Sequence, residues 1–119
     1  MSARTVSLPW PPSCLSPNSR AHWRVKAKAA AKARRDAAIA CQAAGVRALP
    51  WDAMQVAITF CAPTRRPYDL DNALARCKSL LDGVADATGV DDSQWNYTIT
   101  RGETVKGGAV VITLSEVTK

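Results

Sequence analysis

The sequence predicts a single small α/β (α+β) domain in which two helices cover a mixed sheet, in the order βαβαββ. Three observations favour this fold. Residues 21–44 are alanine-rich and lack glycine and proline, residues 70–84 carry an apolar face at helical spacing, and residues 53–61 alternate between apolar and more polar side chains. Since the chain has 119 residues and is 47% apolar, we expect one domain over residues 1–119.

The first half of the chain predicts a helix between two strands. Residues 5–8 are a short strand candidate, which the following prolines end. The helix over residues 21–44 stops at Gly45, a residue suited to the left-handed backbone found after many helices. A strand over residues 53–61 is predicted by the alternating apolar side chains Met54, Val56, Ile58 and Phe60.

The second half predicts one helix followed by two strands. The helix begins at Asp71 or Asn72 and ends between Gly83 and Gly89. Its apolar face consists of Leu70, Leu74, Cys77, Leu81 and Val84, at spacings of four and three. Residues 94–101 and 109–116 are strand-like, and we expect them to pair as an antiparallel hairpin.

Composition excludes several classes of protein. No segment approaches the roughly 18 apolar residues of a membrane span, and the N-terminus lacks the apolar core of a signal peptide. We therefore expect a cytoplasmic protein with no membrane partner. The four cysteines and His22 lack zinc-ligand spacing, and no small-molecule organic cofactor is expected. The formal charge of +6 favours a polyanionic partner.

Four of the ten acidic residues lie in two short segments. Asp69 and Asp71 stand two residues apart at a strand-to-helix junction, so they project to the same side of an extended chain. Asp91 and Asp92 lie in a turn that can return towards the start of that helix. Converging carboxylates repel one another unless a cation neutralises them, and their oxygens suit Mg²⁺, with Mn²⁺ as a substitute. The two segments therefore predict a divalent metal site.

Each acidic position also has an interpretation that needs no catalysis. Asp71 is a good helix N-cap, and Asp69 suits an Asx turn. Asp91 and Asp92 suit a solvated turn. The metal-site hypothesis depends on the second segment folding back towards the first.

A basic stripe is predicted on the first helix. Between Arg20 and Arg35 the chain carries seven basic residues and no acidic one. At spacings of four, four and three, the stripe consists of Arg24, Lys28, Lys32 and Arg35. Such a stripe can follow a phosphate backbone, although a solvated helix face is the alternative. Three tryptophans, at positions 23, 51 and 95, are interpreted as core or interface anchors rather than base-stacking platforms.

Several motifs together resemble the RusA family of Holliday junction resolvases. They are Leu8-Pro9-Trp10-Pro11-Pro12-Ser13, the Arg65-Arg66 approach to Asp69-Leu70-Asp71-Asn72, then Asp91-Asp92-Ser93-Gln94 and Lys106-Gly107-Gly108. The resemblance covers nearly the whole chain and is strongest over residues 65–95. It implies a RusA-like fold and a small homodimeric endonuclease of phage or prophage type that uses Mg²⁺ to resolve four-way DNA junctions. It also implies that Asp69, Asp71 and Asp92 are the metal-binding catalytic carboxylates, with Asp91 beside them.

One departure from the family pattern concerns a lysine. The family places it three residues after the asparagine, where this chain has Ala75. Lys78 lies seven positions beyond Asp71 and returns to about the same face of a continuous helix, so we predict that Lys78 substitutes. Arg65, Arg66 and Arg76 complete the expected DNA contacts.

The expected activity is phosphodiester hydrolysis in branched DNA, with Mg²⁺ activating water. A two-fold dimer would present two identical sites to a junction that is cut in two strands. Three alternatives remain open: a non-catalytic basic nucleic-acid-binding module, a less specific branched-DNA nuclease, and a Mg²⁺-dependent enzyme for small phosphorylated substrates. The first explains the charge but not the carboxylates, and the last explains the carboxylates but not the basic helix.

Overall fold

A four-stranded mixed sheet and three α-helices form the structure, a computed structural model that describes residues 3–117. Residues 1, 2, 118 and 119 of the predicted domain lie outside the described residues. The strands are β1 (Arg4–Pro9), β2 (Met54–Cys61), β3 (Trp95–Arg101) and β4 (Ala109–Glu116). The helices are α1 (Trp23–Ala43), α2 (Leu70–Arg76) and α3 (Lys78–Thr88). The predicted α+β class with a mixed sheet is confirmed.

The predicted hairpin of the last two strands is wrong. The strand order is β1-β4-β2-β3, so β2 lies between β3 and β4. β4 is antiparallel to both β1 and β2, whereas β3 is parallel to β2. The physical reason is burial: Val110, Ile112 and Leu114 of β4 are fully buried and require a central position. β3 exposes most of its side chains and takes the edge.

The connection from β3 to β4 crosses the end of β2. The Gly102 N–H donates to the Phe60 carbonyl, and the Val105 N–H donates to the Ala62 carbonyl. The chain then turns through Gly107 and Gly108, both with positive φ, to begin β4 opposite Cys61. β3 and β4 are therefore joined by a connection that passes around the end of β2, and not by the expected hairpin turn.

Helices α1 and α3 pack closely together over the buried core. Gly83 on α3 makes this approach possible, because a Cβ atom there would lie 2.2 Å from the Arg34 carbonyl oxygen and 2.8 Å from the Ala37 Cβ. Arg34 and Asp86 join the same two helices at the surface, where the Arg34 Nε and Nη2 atoms donate to the two carboxylate oxygens at 2.6 and 2.8 Å. This contact lowers the pKa of Asp86 and raises that of Arg34.

The predicted second helix is two helices. It is interrupted at Cys77, where the backbone (φ −91°, ψ 3°) tightens and the Cys77 N–H donates to the Leu74 carbonyl at 3.0 Å. Cys77 is fully buried, so the interruption lies against the core. The order of elements is therefore βαβααββ rather than βαβαββ. α3 ends at Thr88 and is followed by Gly89, whose left-handed backbone (φ 76°) is that expected after a helix.

The four cysteines are free thiols. Burial raises the pKa of Cys41 to about 11 and that of Cys77 to about 12. Both thiols therefore stay protonated at neutral pH and act as small core side chains. No helix within residues 3–117 has the length and apolar character needed to cross a membrane.

Candidate active site

Asp69 and Asp71 lie at the start of α2, where the chain leaves an extended loop and enters the helix. Asp69 occupies the N-cap position with extended backbone (φ −91°, ψ 137°), but its side chain makes no capping hydrogen bond. Asp71 lies in the first turn. Both side chains are exposed and line one depression, and neither accepts a hydrogen bond from another described side chain or backbone group. Asp71 is therefore not the N-cap of the helix, and Asp69 does not form an Asx turn.

The proline-rich loop after β1 packs against this acidic turn. Ser16 Oγ donates to Asn72 Oδ1 at 3.4 Å, and Pro17 and Asn18 line the same depression as the two carboxylates. Arg76, one turn after Asn72 on the same face of α2, also binds the loop: its Nε donates to the Pro12 carbonyl at 3.1 Å and its Nη2 to the Pro11 carbonyl at 2.6 Å. The loop and the helix start therefore form one unit.

Arg76 is held by protein contacts rather than left open to a ligand. Besides its two carbonyl bonds, its guanidinium lies 5.9 Å from the ring centroid of Trp10. The Trp10 ring in turn meets Phe60 and Tyr68 edge to face, at centroid distances of 6.3 and 6.0 Å. The geometry gives Arg76 a positioning role behind the acidic turn.

Lys78 joins the second acidic segment to the start of α3. Its Nζ lies 2.7 Å from Asp82 Oδ1 and 3.3 Å from Asp92 Oδ2. Hydrogen bonds to Asp82 and then Asp92 raise the pKa of Lys78, so its amine is a cation at neutral pH. The prediction of Lys78 assumed one continuous helix. That helix is wrong, because the backbone breaks at Cys77. Its place beside Asp92 arises from the turn that precedes β3.

Asp91 has a local structural role. Its carboxylate accepts hydrogen bonds from the Ser93 N–H and hydroxyl groups, which caps the short 3-10 turn Asp92–Gln94. That turn leads directly into β3, and Trp95 at the start of the strand donates from Nε1 to the Val90 carbonyl at 2.9 Å. Asp91 therefore shapes the turn that presents Asp92.

The four carboxylates divide between two depressions. Asp69 and Asp71 line one, whereas Asp91 and Asp92 line another together with Arg34 and Asp82. Within residues 3–117, no group of three or more His, Cys, Asp or Glu side chains is close enough to hold a metal ion. Two open carboxylates fit Mg²⁺ nonetheless, because that ion is usually held by one or two carboxylates with water and substrate phosphate completing its shell.

The basic stripe on α1 is exposed but not uniform. Lys32 Nζ lies 2.6 Å from Asp36 Oδ2, so one of its four positive charges is already paired. The Arg24 guanidinium lies 5.3 Å from the Trp23 ring centroid. Lys28 and Arg35 are exposed and have no ion pair among the described residues. The pairing of Lys32 with Asp36 was not predicted, because Asp36 lies one residue beyond the segment that lacks acidic residues.

Two charged residues that were not predicted, Arg101 and Asp82, lie close to residues of the candidate site. Arg101, at the end of β3, lies 4.6 Å from the ring centroid of Tyr68, the residue before Asp69. It adds an exposed cation beside the residue that leads into the acidic turn. The parallel pairing of β3 with β2, which was not predicted, places it there. The contact between Asp82 and Lys78 was predictable, since Asp82 lies four residues after Lys78 on one helix.

The tryptophans at positions 23, 51 and 95 differ in burial. Trp95 is buried in the core, and Trp51 is half-buried against it, as predicted. Trp23 is 67% exposed and is not a core residue. Its ring is stacked with His22 at 5.7 Å between centroids and 29° between planes.

Comparison with known proteins finds a relative in Xylella fastidiosa strain Temecula1. It is described as an uncharacterized protein and is 39% identical over 120 residues, which cover 98% of this chain and 78% of the relative. The chain belongs to the same family as this protein. No family model matches the chain. Membership of this family establishes kinship rather than an activity, so the chemistry must be argued from the site itself.

Proposed function

We propose that the protein is a Mg²⁺-dependent endonuclease that cuts branched DNA, in the manner of the RusA-type Holliday junction resolvases that its motifs resemble. The observation that carries the proposal is the pair Asp69 and Asp71. Both carboxylates are exposed, share one depression and bind no described protein group, on a chain of formal charge +6. Open carboxylates on a basic protein suit a cation that is itself in contact with phosphate.

Asp69 and Asp71 would hold Mg²⁺ or Mn²⁺, which supplies Lewis-acid activation of water and of the scissile phosphate. Asp92 lines a different depression, so it would join the proposed catalytic set through its contact with Lys78 rather than as a third ligand of the same ion. Asp91 holds the turn that presents Asp92. No covalent protein nucleophile is required. The proline-rich loop, fastened through Asn72 and Arg76, keeps the acidic turn in place.

Lys78 is proposed to supply the positive charge that the family pattern places at position 75. Its raised pKa makes it a cation rather than a general base. A cation beside Asp92 can stabilise negative charge that develops on a phosphate in the transition state. Because 64% of the Lys78 side chain is exposed, a DNA phosphate can reach it without displacing a core residue.

DNA binding is proposed to use positions on two sides of the acidic turn. Arg24, Lys28 and Arg35 on α1, with Lys32 partly neutralised, offer contacts to phosphate that depend on salt but not on sequence. Arg65 and Arg66 offer such contacts in the loop before Asp69. A homodimer would present two such sites to the two strands that are cut in a four-way junction. We place this activity in the cytoplasm of a bacterial or phage-infected cell.

The proposal is tested by incubating the protein with a synthetic four-way junction and with linear duplex of the same sequence, each with Mg²⁺ and with EDTA. We expect Mg²⁺-dependent cuts in the junction and little cutting of the duplex. Asp71→Asn, which removes a charge without changing size, should bind the junction but not cut it.

Two other outcomes would point to other functions. Binding of the junction without cleavage under any divalent metal would favour a non-catalytic basic module. Equal cutting of junction and duplex would favour a less specific nuclease. Either result would contradict the proposed resolvase activity.

A further inference from the structure

The start of α1 carries an exposed aromatic and basic surface, of which the proposed function uses only Arg24. Trp23 is 67% exposed, and Val25 on the same turn is 52% exposed. Covering these two side chains with a partner would remove apolar surface from water, which is favourable.

The aromatic part of this surface is already arranged as a stack. The His22 and Trp23 rings lie 5.7 Å apart between centroids and are inclined by 29°. His22 is held in place because its Nδ1 atom accepts a hydrogen bond from the Arg24 N–H at 3.1 Å. A further planar ring can continue this stack when the exposed Arg24 side chain, which lies over the Trp23 ring, moves aside, and no change in the backbone is needed.

The charge of the surface selects the partner. Arg24 lies 5.3 Å from the Trp23 centroid, and no acidic residue occurs between Arg20 and Arg35. A second copy would bring an identical cationic surface against this one, which is unfavourable. A partner that combines planar rings with negative charge fits both the stack and the guanidinium.

We propose that the surface formed by His22, Trp23 and Arg24 binds unpaired bases of single-stranded DNA, with Trp23 stacking on a base and Arg24 contacting the adjoining phosphate. Stacking platforms flanked by cations bind single strands with little sequence preference. In duplex DNA the bases are already stacked on one another, so the surface would favour unpaired segments over duplex.

The test measures binding of a fluorescein-labelled oligothymidine to the full-length protein by fluorescence anisotropy, in EDTA and at one fixed low salt concentration. Trp23→Ala should weaken binding roughly 5- to 150-fold, the range found when a stacking aromatic is removed. Trp23→Phe should keep most of the affinity, because a ring remains.

Ile39→Ala is the matched control. Ile39 is also on α1 and is 56% exposed, but it lies sixteen residues further along, about 24 Å away at the rise of an α-helix. Its truncation should leave binding unchanged. Asp71→Asn should bind as the unaltered protein does, so a failure of the proposed nuclease activity would not affect this result.

Several results would overturn the inference. They are unchanged binding by Trp23→Ala, equal losses for Trp23→Phe and Trp23→Ala, an equal Trp23 effect on duplex, and tighter binding of oligouridine than of oligothymidine. A change in sedimentation from dimer to monomer in Trp23→Ala would also overturn it, because the surface would then bind a second copy.

Discussion

Lys78 Nζ lies 3.3 Å from Asp92 Oδ2, although fourteen residues separate the two along the chain. The contact brings the turn before β3 to the junction between α2 and α3. Through this contact the second acidic segment is joined to the helix pair α2–α3, whose first turn carries Asp69 and Asp71. Asp82 holds the same ammonium group from within α3, at 2.7 Å.

Replacing Lys78 by alanine should slow junction cleavage without preventing binding. Removal of one preorganised group that stabilises transition-state charge lowers rates by about 100-fold or more, and we expect a loss of that order. Lys78→Arg should keep part of the activity because the positive charge remains. Single-turnover cleavage with protein in excess separates this effect from affinity.

Lys106→Ala is the control for loss of a lysine. Lys106 is exposed in the connection between β3 and β4 and has no ion pair among the described residues. Arg76→Ala is a second comparison, and it should lower the melting temperature because two hydrogen bonds to the proline-rich loop are lost. A cleavage rate for Lys78→Ala equal to that of the unaltered protein would rule out the substitution.

The element limits were predictable from local sequence, but the pairing of strands was not. Gly45, Gly89 and the alternation in β2 give nearly the observed limits, because caps and side-chain periodicity act over a few residues. The strand that pairs with β3 depends on which strands take the central, buried positions of the sheet. That choice is determined by the packing of the whole core. Arg101 was missed for this reason, since only the parallel pairing brings it beside Tyr68.

In the candidate site too, features set by neighbouring residues were predictable, whereas contacts set by the tertiary fold were not. The junction position of Asp69 and Asp71 follows from adjacent sequence. Lys78 was selected from a continuous helix that breaks at Cys77, and its contact with Asp92 depends on the tertiary position of a turn. The break carries no proline or glycine signal, because it arises where the Cys77 side chain packs into the core.

The basic stripe makes a prediction about salt dependence. Lys28→Ala should reduce the slope of log affinity against log salt by about one, the value for a lost phosphate contact. Lys32→Ala should reduce it less, because Asp36 lies 2.6 Å from the Lys32 amine and already neutralises part of its charge. Affinity for a four-way junction in EDTA, measured over a range of salt concentrations, gives the slopes.

Asp36→Asn provides the converse variant. It removes the competing carboxylate and should raise affinity at low salt while making the slope steeper. Identical slopes for Lys28→Ala and Lys32→Ala would show that the Lys32–Asp36 pair does not persist when DNA is bound.

Gly83→Ala should destabilise the fold even though alanine favours helices. The added Cβ would lie 2.2 Å from the Arg34 carbonyl oxygen, so α1 and α3 must move apart. Overpacking of this kind costs about 1–3 kcal/mol. Urea denaturation followed by circular dichroism measures the loss.

A double variant locates the cause of that loss. Ala37→Gly removes the Cβ that lies 2.8 Å away, but the nearer group is backbone and cannot be trimmed. Gly83→Ala with Ala37→Gly should therefore stay destabilised. Recovery of full stability would instead assign the clash to the Ala37 side chain.

The contact between Arg34 and Asp86 makes a prediction about pH. The hydrogen bond from Arg34 holds the pKa of Asp86 below its usual range, so folding favours the ionised carboxylate. The stabilising effect is therefore present above the ordinary carboxylate pKa of about 3.9 and is lost as pH falls through the lowered value. Arg34→Gln should raise the midpoint of the Asp86 carboxyl ¹³C titration, and its stability difference from the unaltered protein should disappear in acid. Arg35→Gln, one residue along, should leave the Asp86 midpoint where it is; an equal shift in both variants would assign the effect to the general charge of α1.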